Sequence, residues 1–121
     1  MTTKLVPSLT PFFAAILAAS LATASANATA FINGNDLYSY CATPTKDETA
    51  PSICMGFIDA IVDVMAENAI NGFSACIPLT GVKTPQLVDV VNQYLRANPA
   101  KRHFSAAGLV ASALSSAFPC R

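Results

Sequence analysis

The stretch from Cys54 to Cys76, CMGFIDAIVDVMAENAINGFSAC, restricts the fold of this chain more than any other. Its apolar residues fall at Cys54, Phe57, Ile58, Ile61, Val62, Met65 and Ala69, a spacing that gathers them into one stripe at 3.6 residues per turn. The pattern predicts a central helix with one buried face. It begins around Thr49 to Ser52, with Pro51 in a first turn where a missing N–H costs nothing, and closes at Asn71-Gly72, a pair suited to a left-handed C-terminal residue. A thiol stands at each end of the stretch, and Cys41 and Cys120 flank it in the chain.

The rest of the chain from Phe31 onward reads as further helices. In FINGNDLYSYC, Asn33-Gly34 is a turn signal and Asn35 or Asp36 is expected to cap a short helix carrying Leu37, Tyr38 and Cys41. Pro44 discourages helix just before it. Thr84-Pro85 reads as N-cap and first residue of a third helix striped by Leu87, Val88, Val91, Tyr94 and Leu95, which Asn98-Pro99 stops. Ser105 reads as the N-cap of a fourth, with Phe104 before it and Leu109 at the fourth helical position, the spacing of a hydrophobic staple. Its buried face is expected at Val110, Ala113, Leu114, Ala117 and Phe118. No segment sustains period-two alternation, so the expected class is all-α: a small four-helix domain whose short connections favour antiparallel neighbours.

Four cysteines, all after the first 40 residues, favour two disulfides once a leader directs the chain to an oxidising compartment. No pair has C-x-x-C spacing, which argues against a zinc ribbon or a thioredoxin-like site. The helix holding Cys41 must turn back into the one holding Cys54. The fourth helix returns toward the start of the third, just after Cys76. The expected pairing is Cys41 with Cys54 and Cys76 with Cys120, although four thiols allow three connectivities.

Lys4, the apolar run around Phe12 to Ala19, and the small residues Ala24-Ser25-Ala26 or Ala26-Asn27-Ala28 have the layout of a cleavable signal peptide, residues 1–28, leaving a domain over residues 29–121. A membrane anchor would need about 20 apolar residues, more than this run supplies. The remainder carries six basic residues, Lys46, Lys83, Arg96, Lys101, Arg102 and Arg121, against seven acidic ones. Scattered charges near balance exclude the clustered Lys and Arg that nucleic acid or an anionic membrane surface requires.

Little in the sequence promises chemistry. The lone histidine, His103, would need a thiol or other nucleophile beside it, and all four cysteines are accounted for as disulfide halves. Asp59 and Asp63 lie one helical turn apart, a spacing that suits a cation, but no further oxygen ligands cluster with them. The preferred reading is a solvated face or an aspartate capping a neighbouring segment. Gly56 within the central helix suggests close approach of a neighbour. No cofactor, metal site or catalytic residue is expected.

In order along the chain, FINGNDLYSYC, CMGFIDAIVD, CIPLTGVKTPQLVDVVNQYLRANP and HFSAAGLVASALSSAFPC together resemble the Tai-type immunity proteins, also called resistance-associated proteins, over about Phe31 to Cys120. Phe57 and Ala60 stand where many relatives have tyrosine and a second glycine. The resemblance implies a periplasmic helical protein that is not an enzyme. It would bind a peptidoglycan amidase delivered by type VI secretion and block it by obstruction. No contact residues carry over with it. The loop positions Lys83, Lys101, Arg102 and His103 are the candidate partner contacts, since loops on a rigid scaffold commonly carry recognition. A homodimer is a second expected association. A small periplasmic chaperone is the alternative reading.

Overall fold

The capping chemistry of Asn33 fixes where the first described helix begins. In the computed structural model, which describes residues 2–3, 29–42 and 47–121, the Asn33 side-chain oxygen accepts from the N–H groups of Asn35 (2.8 Å) and Asp36 (3.1 Å). The Asp36 carboxylate accepts in return from the Asn33 N–H (3.1 Å). This reciprocal box satisfies three donors at the start of α1 (Gly34–Cys41). The cap is therefore Asn33 rather than Asn35 or Asp36, because only from Asn33 does a carboxylate fall at the third helical position.

Three longer helices follow: α2 (Ala50–Glu67), α3 (Thr84–Ala97) and α4 (Ala106–Ala117), with a 3₁₀ turn, Pro99–Lys101, between the last two. Each of the four packs against the other three. They close on one core, built from Leu37 and Cys41 of α1, Cys54, Ile58, Val62 and Met65 of α2, Leu87, Val91 and Leu95 of α3, and the Ala106, Leu109, Val110, Ala111, Ala113 and Leu114 face of α4. The expected all-α class holds among the described residues, where extended pairing is limited to two isolated bridges. None of the described helices is long and apolar enough to cross a membrane. The signal peptide expected at residues 1–28 lies almost wholly outside the described residues.

The central helix ends earlier than its sequence suggests. Asn68 caps α2, its N–H donating to the Val64 carbonyl (2.9 Å), and Ala69 is exposed beyond the helix. Asn71 and Gly72 both have positive φ, 51° and 81°. The flanking Ile70 and Phe73 exchange backbone hydrogen bonds of 3.0 and 2.9 Å. A helix C-cap needs one left-handed residue; two in succession make the hairpin turn that Asn-Gly favours most. Cys76 therefore lies in an extended connection rather than at a helix end, and reaches the end of α4.

Two further starts shift for identifiable reasons. Lys83, not Thr84, is the N-cap of α3: the Gln86 side chain accepts from the Lys83 N–H (2.8 Å), while the Thr84 hydroxyl is occupied with Asp59 (2.9 Å). Ser105 does cap α4, yet its side chain makes no capping bond; the first helical N–H, of Ala106, donates instead to the Ile32 carbonyl (3.0 Å). At the start of α2, the Asp47 carboxylate accepts from the Thr49 hydroxyl (2.7 Å) and N–H (2.9 Å). The hydroxyl above all holds that carboxyl below the ordinary aspartate range.

Both disulfides pair as expected, Cys41 with Cys54 and Cys76 with Cys120, with Cα separations of 5.1 and 5.0 Å inside the normal span. They close chain separations of 13 and 44 residues, worth roughly 3 and 4 kcal/mol respectively if the effect is purely on the entropy of the unfolded chain. Their surroundings differ. Cys41 and Cys54 are buried in the core, at 4% and 1% exposure, whereas Cys76 and Cys120 are both exposed.

Two glycines also differ. A Cβ at Gly34 would run into Leu109 Cδ1 and come within 2.8 Å of the Arg102 carbonyl oxygen and 2.9 Å of its Cα. Gly56, expected at a close helix approach, has nothing within 4 Å of where its Cβ would sit and faces solvent. The helix there carries an avoidable glycine.

Two outcomes follow from this packing. Gly34→Ala is expected to destabilise by about 1–3 kcal/mol through overpacking against backbone, whereas Gly56→Ala stabilises by about 0.5–1 kcal/mol; thermal melts that moved both variants in the same direction would contradict the assignment. Under native conditions a mild dithiol, followed by alkylation and mass mapping, is expected to label Cys76 and Cys120 first, with Cys41 and Cys54 labelled only on unfolding. Simultaneous labelling of all four would show that the burial difference does not govern access.

Candidate functional site

The loop between α3 and α4 is where the exposed chemistry of this domain concentrates, and α1 holds it in place. The Gly34 N–H donates to the Phe104 carbonyl and the Asn35 N–H to the Arg102 carbonyl, each at 3.0 Å. With the Ala106 to Ile32 bond, these stitch the segment 102–106 onto the segment 32–35. Gly34 makes this possible, because any side chain would separate the two backbones.

Within that loop the candidate residues have different fates. Arg102 turns inward: its Nε donates to the Leu95 carbonyl (2.7 Å) and its guanidinium carbon sits 3.8 Å from the centre of the Tyr38 ring. A carbonyl at the end of α3 and an aromatic face on α1 thus share one planar cation, a combination guanidinium serves and ammonium does not. Lys101 and His103 remain exposed. The His103 ring packs against Phe104, centroids 4.0 Å apart and tilted by 41°. Lys83 stands at the other end of α3, a helix of 14 residues or about 21 Å. Lys101 and His103 share one loop, on opposite sides of Phe104, and Lys83 is remote from both.

Reasoning from charges alone missed the aromatic part. Phe104 is 56% exposed and Phe73 38% exposed, and they flank a cleft of about 360 Å³ bounded by the Asn71–Phe73 turn, the end of α3 and the first turns of α4. In its wall the Tyr94 hydroxyl and Ser112 hydroxyl lie 2.9 Å apart. Gly108 lets the turn lie against α4, since a Cβ there would meet Asn71 Nδ2 at 2.8 Å. The far side of Phe104 borders a second hollow of about 290 Å³, shared with His103, Asn33 and the segment at Thr29. Phe104 is thus a ridge between two depressions. The staple signal had placed it over Leu109; both do line the cleft, but Phe104 keeps most of its ring in solvent.

The arrangement suits recognition by contact. All four cysteines are bonded, so His103 has no thiol to activate. Asp59 accepts from the Thr84 hydroxyl at the start of α3, a side-chain contact between helices rather than a backbone cap, while Asp63 is exposed on α2. Among the described residues no group of three or more His, Cys, Asp or Glu is placed to hold a metal ion.

If Arg102 fastens the loop while Lys101 only decorates it, Arg102→Ala will cost about 2 kcal/mol, the sum expected of a charge-assisted hydrogen bond and a partly buried cation–π contact. Arg102→Lys will recover only part of this, and Lys101→Ala will leave the melting temperature within about 1 °C, as surface substitutions usually do. Equal losses for Arg102→Ala and Lys101→Ala would sink the distinction.

No curated protein and no solved structure among those compared matches this chain. The family model described as Rap1a immunity proteins matches residues 33–120. That span opens on the Asn33 cap, closes on Cys120, and includes every helix of the described residues, both disulfides and the stitched loop. With well over half its length matched, the chain belongs to the Rap1a immunity proteins, a family directed against effectors of type VI secretion.

Proposed function

We propose that this protein is a periplasmic immunity protein of the Tai type, which binds a peptidoglycan amidase effector of a type VI secretion system and blocks it by occupying its surface. The family match over residues 33–120 carries the reading. The Tai-type motifs along the same residues support the narrower choice of an amidase. On this reading residues 1–28 are removed on export and residues 29–121 form the mature protein. An oxidising compartment would also suit the two disulfides, one of them exposed.

Obstruction requires a surface that is already in its bound shape. Two cross-links and the backbone stitch to α1 hold the 101–104 loop, so binding orders little and less of the interaction energy is spent on conformational entropy. Lys101, His103 and Phe104 form the proposed centre of contact. Arg102 supports them from beneath. A standard interface covers about 800 Å² per partner, wide enough to span the length of α3, and Lys83 is proposed as its far edge. Self-association belongs to the same proposal: Ile53 and Val64, both exposed and sharing one face of α2, supply apolar surface for a symmetric pair.

The test mixes the oxidised mature protein with any amidase encoded beside it and follows hydrolysis of purified cell-wall sacculi. Activity is expected to fall linearly and vanish at one equivalent. A neighbouring amidase left fully active by excess folded protein would defeat the proposed target.

A further inference from the structure

The cleft beside Phe104 has a composition that specifies what should enter it. Its walls are mainly apolar, with the exposed rings of Phe73 and Phe104 facing solvent where a lone monomer gains nothing from them. Exposed aromatics at the edges of a concave site are the usual anchors of a protein interface. Its volume of about 360 Å³ lies at the lower end of the range for ligand pockets, suited to one large side chain with its adjoining backbone.

Charge adds the second requirement. Among the described residues Lys101 is the only charged one lining the cleft, and no aspartate or glutamate lines it. Arg102 and His103 follow directly in the chain. The Arg102 guanidinium spends one N–H on the Leu95 carbonyl, yet it keeps its full charge. At physiological salt the screening length is about 8 Å, so the charges of Lys101 and Arg102 act together on a group at the rim. An anionic group beside the apolar one is the complement.

The walls are also fixed in advance. The Asn71-Gly72 turn is closed by two backbone hydrogen bonds, and the Arg102 and Phe104 carbonyls are both taken by α1. Such a pocket needs no rearrangement to accept its occupant.

We infer that this cleft is the anchor pocket of the effector interface, taking one aromatic or aliphatic side chain of the effector that lies next to a carboxylate. The inference rests on the immunity reading above and names the chemistry of the partner's contact. The apolar side chain packs between Phe73 and Phe104, and the carboxylate meets the Lys101 ammonium at the rim. The first contact governs how long the complex lasts, and the second how fast it forms.

The experiment measures binding of any amidase encoded beside the protein to the oxidised mature chain and to Phe73→Ala, Phe104→Ala and Lys101→Glu, with association rates taken at two salt concentrations. All three positions are exposed, so their melting temperatures serve to confirm folding. Each phenylalanine variant is expected to weaken binding by about 30-fold or more, mostly through faster dissociation. Lys101→Glu is expected to slow association by about 10-fold and to flatten its salt dependence. Wild-type binding with all three variants unaffected would overturn the pocket and leave the immunity reading standing. Loss in the phenylalanine variants alone would overturn the carboxylate. Absence of any wild-type complex would overturn the immunity reading and the pocket with it. Self-association abolished by Phe104→Ala would assign the cleft to a second copy of the chain and equally defeat the proposal.

Discussion

The backbone contact between the start of α1 and the α3–α4 loop is the constraint on which the exposed surface of this domain depends. Helix geometry leaves the first N–H groups of α1 without partners inside the helix, and helix ends must satisfy such donors somewhere. Here the Gly34 and Asn35 N–H groups go to carbonyls of the 102–104 segment. A loop that would otherwise wander over the surface becomes an extension of the helix cap. The missing side chain of Gly34 is what allows the approach, and Arg102 completes it by bridging the end of α3 to the ring of Tyr38. Lys101, His103 and Phe104 are then displayed from a base with three independent attachments.

The parts of the fold written in local periodicity were legible from residues alone. The four helices follow from apolar stripes, and the stripes match the buried residues closely in α2 and α3, where Cys54, Ile58, Val62 and Met65 and then Leu87, Val91 and Leu95 are inside. The disulfide pairing followed because short connections leave antiparallel helices little choice of corner. Boundaries were less legible, since caps are competitions between nearby donors and acceptors. Thr84 had the right chemistry for an N-cap but was drawn to Asp59, a residue 25 positions away. Ser105 was correctly placed, yet the bond that starts α4 comes from Ile32. Neither partner is visible in a local reading.

The candidate site was half legible for a related reason. Lys101, Arg102 and His103 stand out as a charged run, but a run does not say which member turns inward, and the answer depends on Tyr38 and Leu95 brought from other helices. Phe104 reads in sequence as one half of a staple with Leu109. Its exposure became evident only with the Asn71–Phe73 turn in place across the cleft. In sequence that turn reads as a helix stop, because Asn-Gly serves both a C-cap and a two-residue hairpin, and only the second positive φ tells them apart. One local ambiguity therefore hid both the true length of α2 and one wall of the cleft.

The two disulfides divide the labour of holding this surface. Cys41–Cys54 joins α1 to α2 inside the core, so it secures the helix whose first turn carries the 102–104 segment. Cys76–Cys120 ties the end of α4 to the connection after the Asn71–Phe73 turn, helped by the Cys76 N–H donating to the Phe118 carbonyl (2.8 Å). One cross-link therefore backs the loop side of the cleft and the other backs the turn side. Without the second, the turn side would keep only the Cys76 to Phe118 hydrogen bond and the fit of Asn71 against Gly108 to hold it to α4. A binding surface assembled from a loop and a two-residue turn gains its rigidity from the covalent links behind each, which is how so small a helical core can present a preformed cleft.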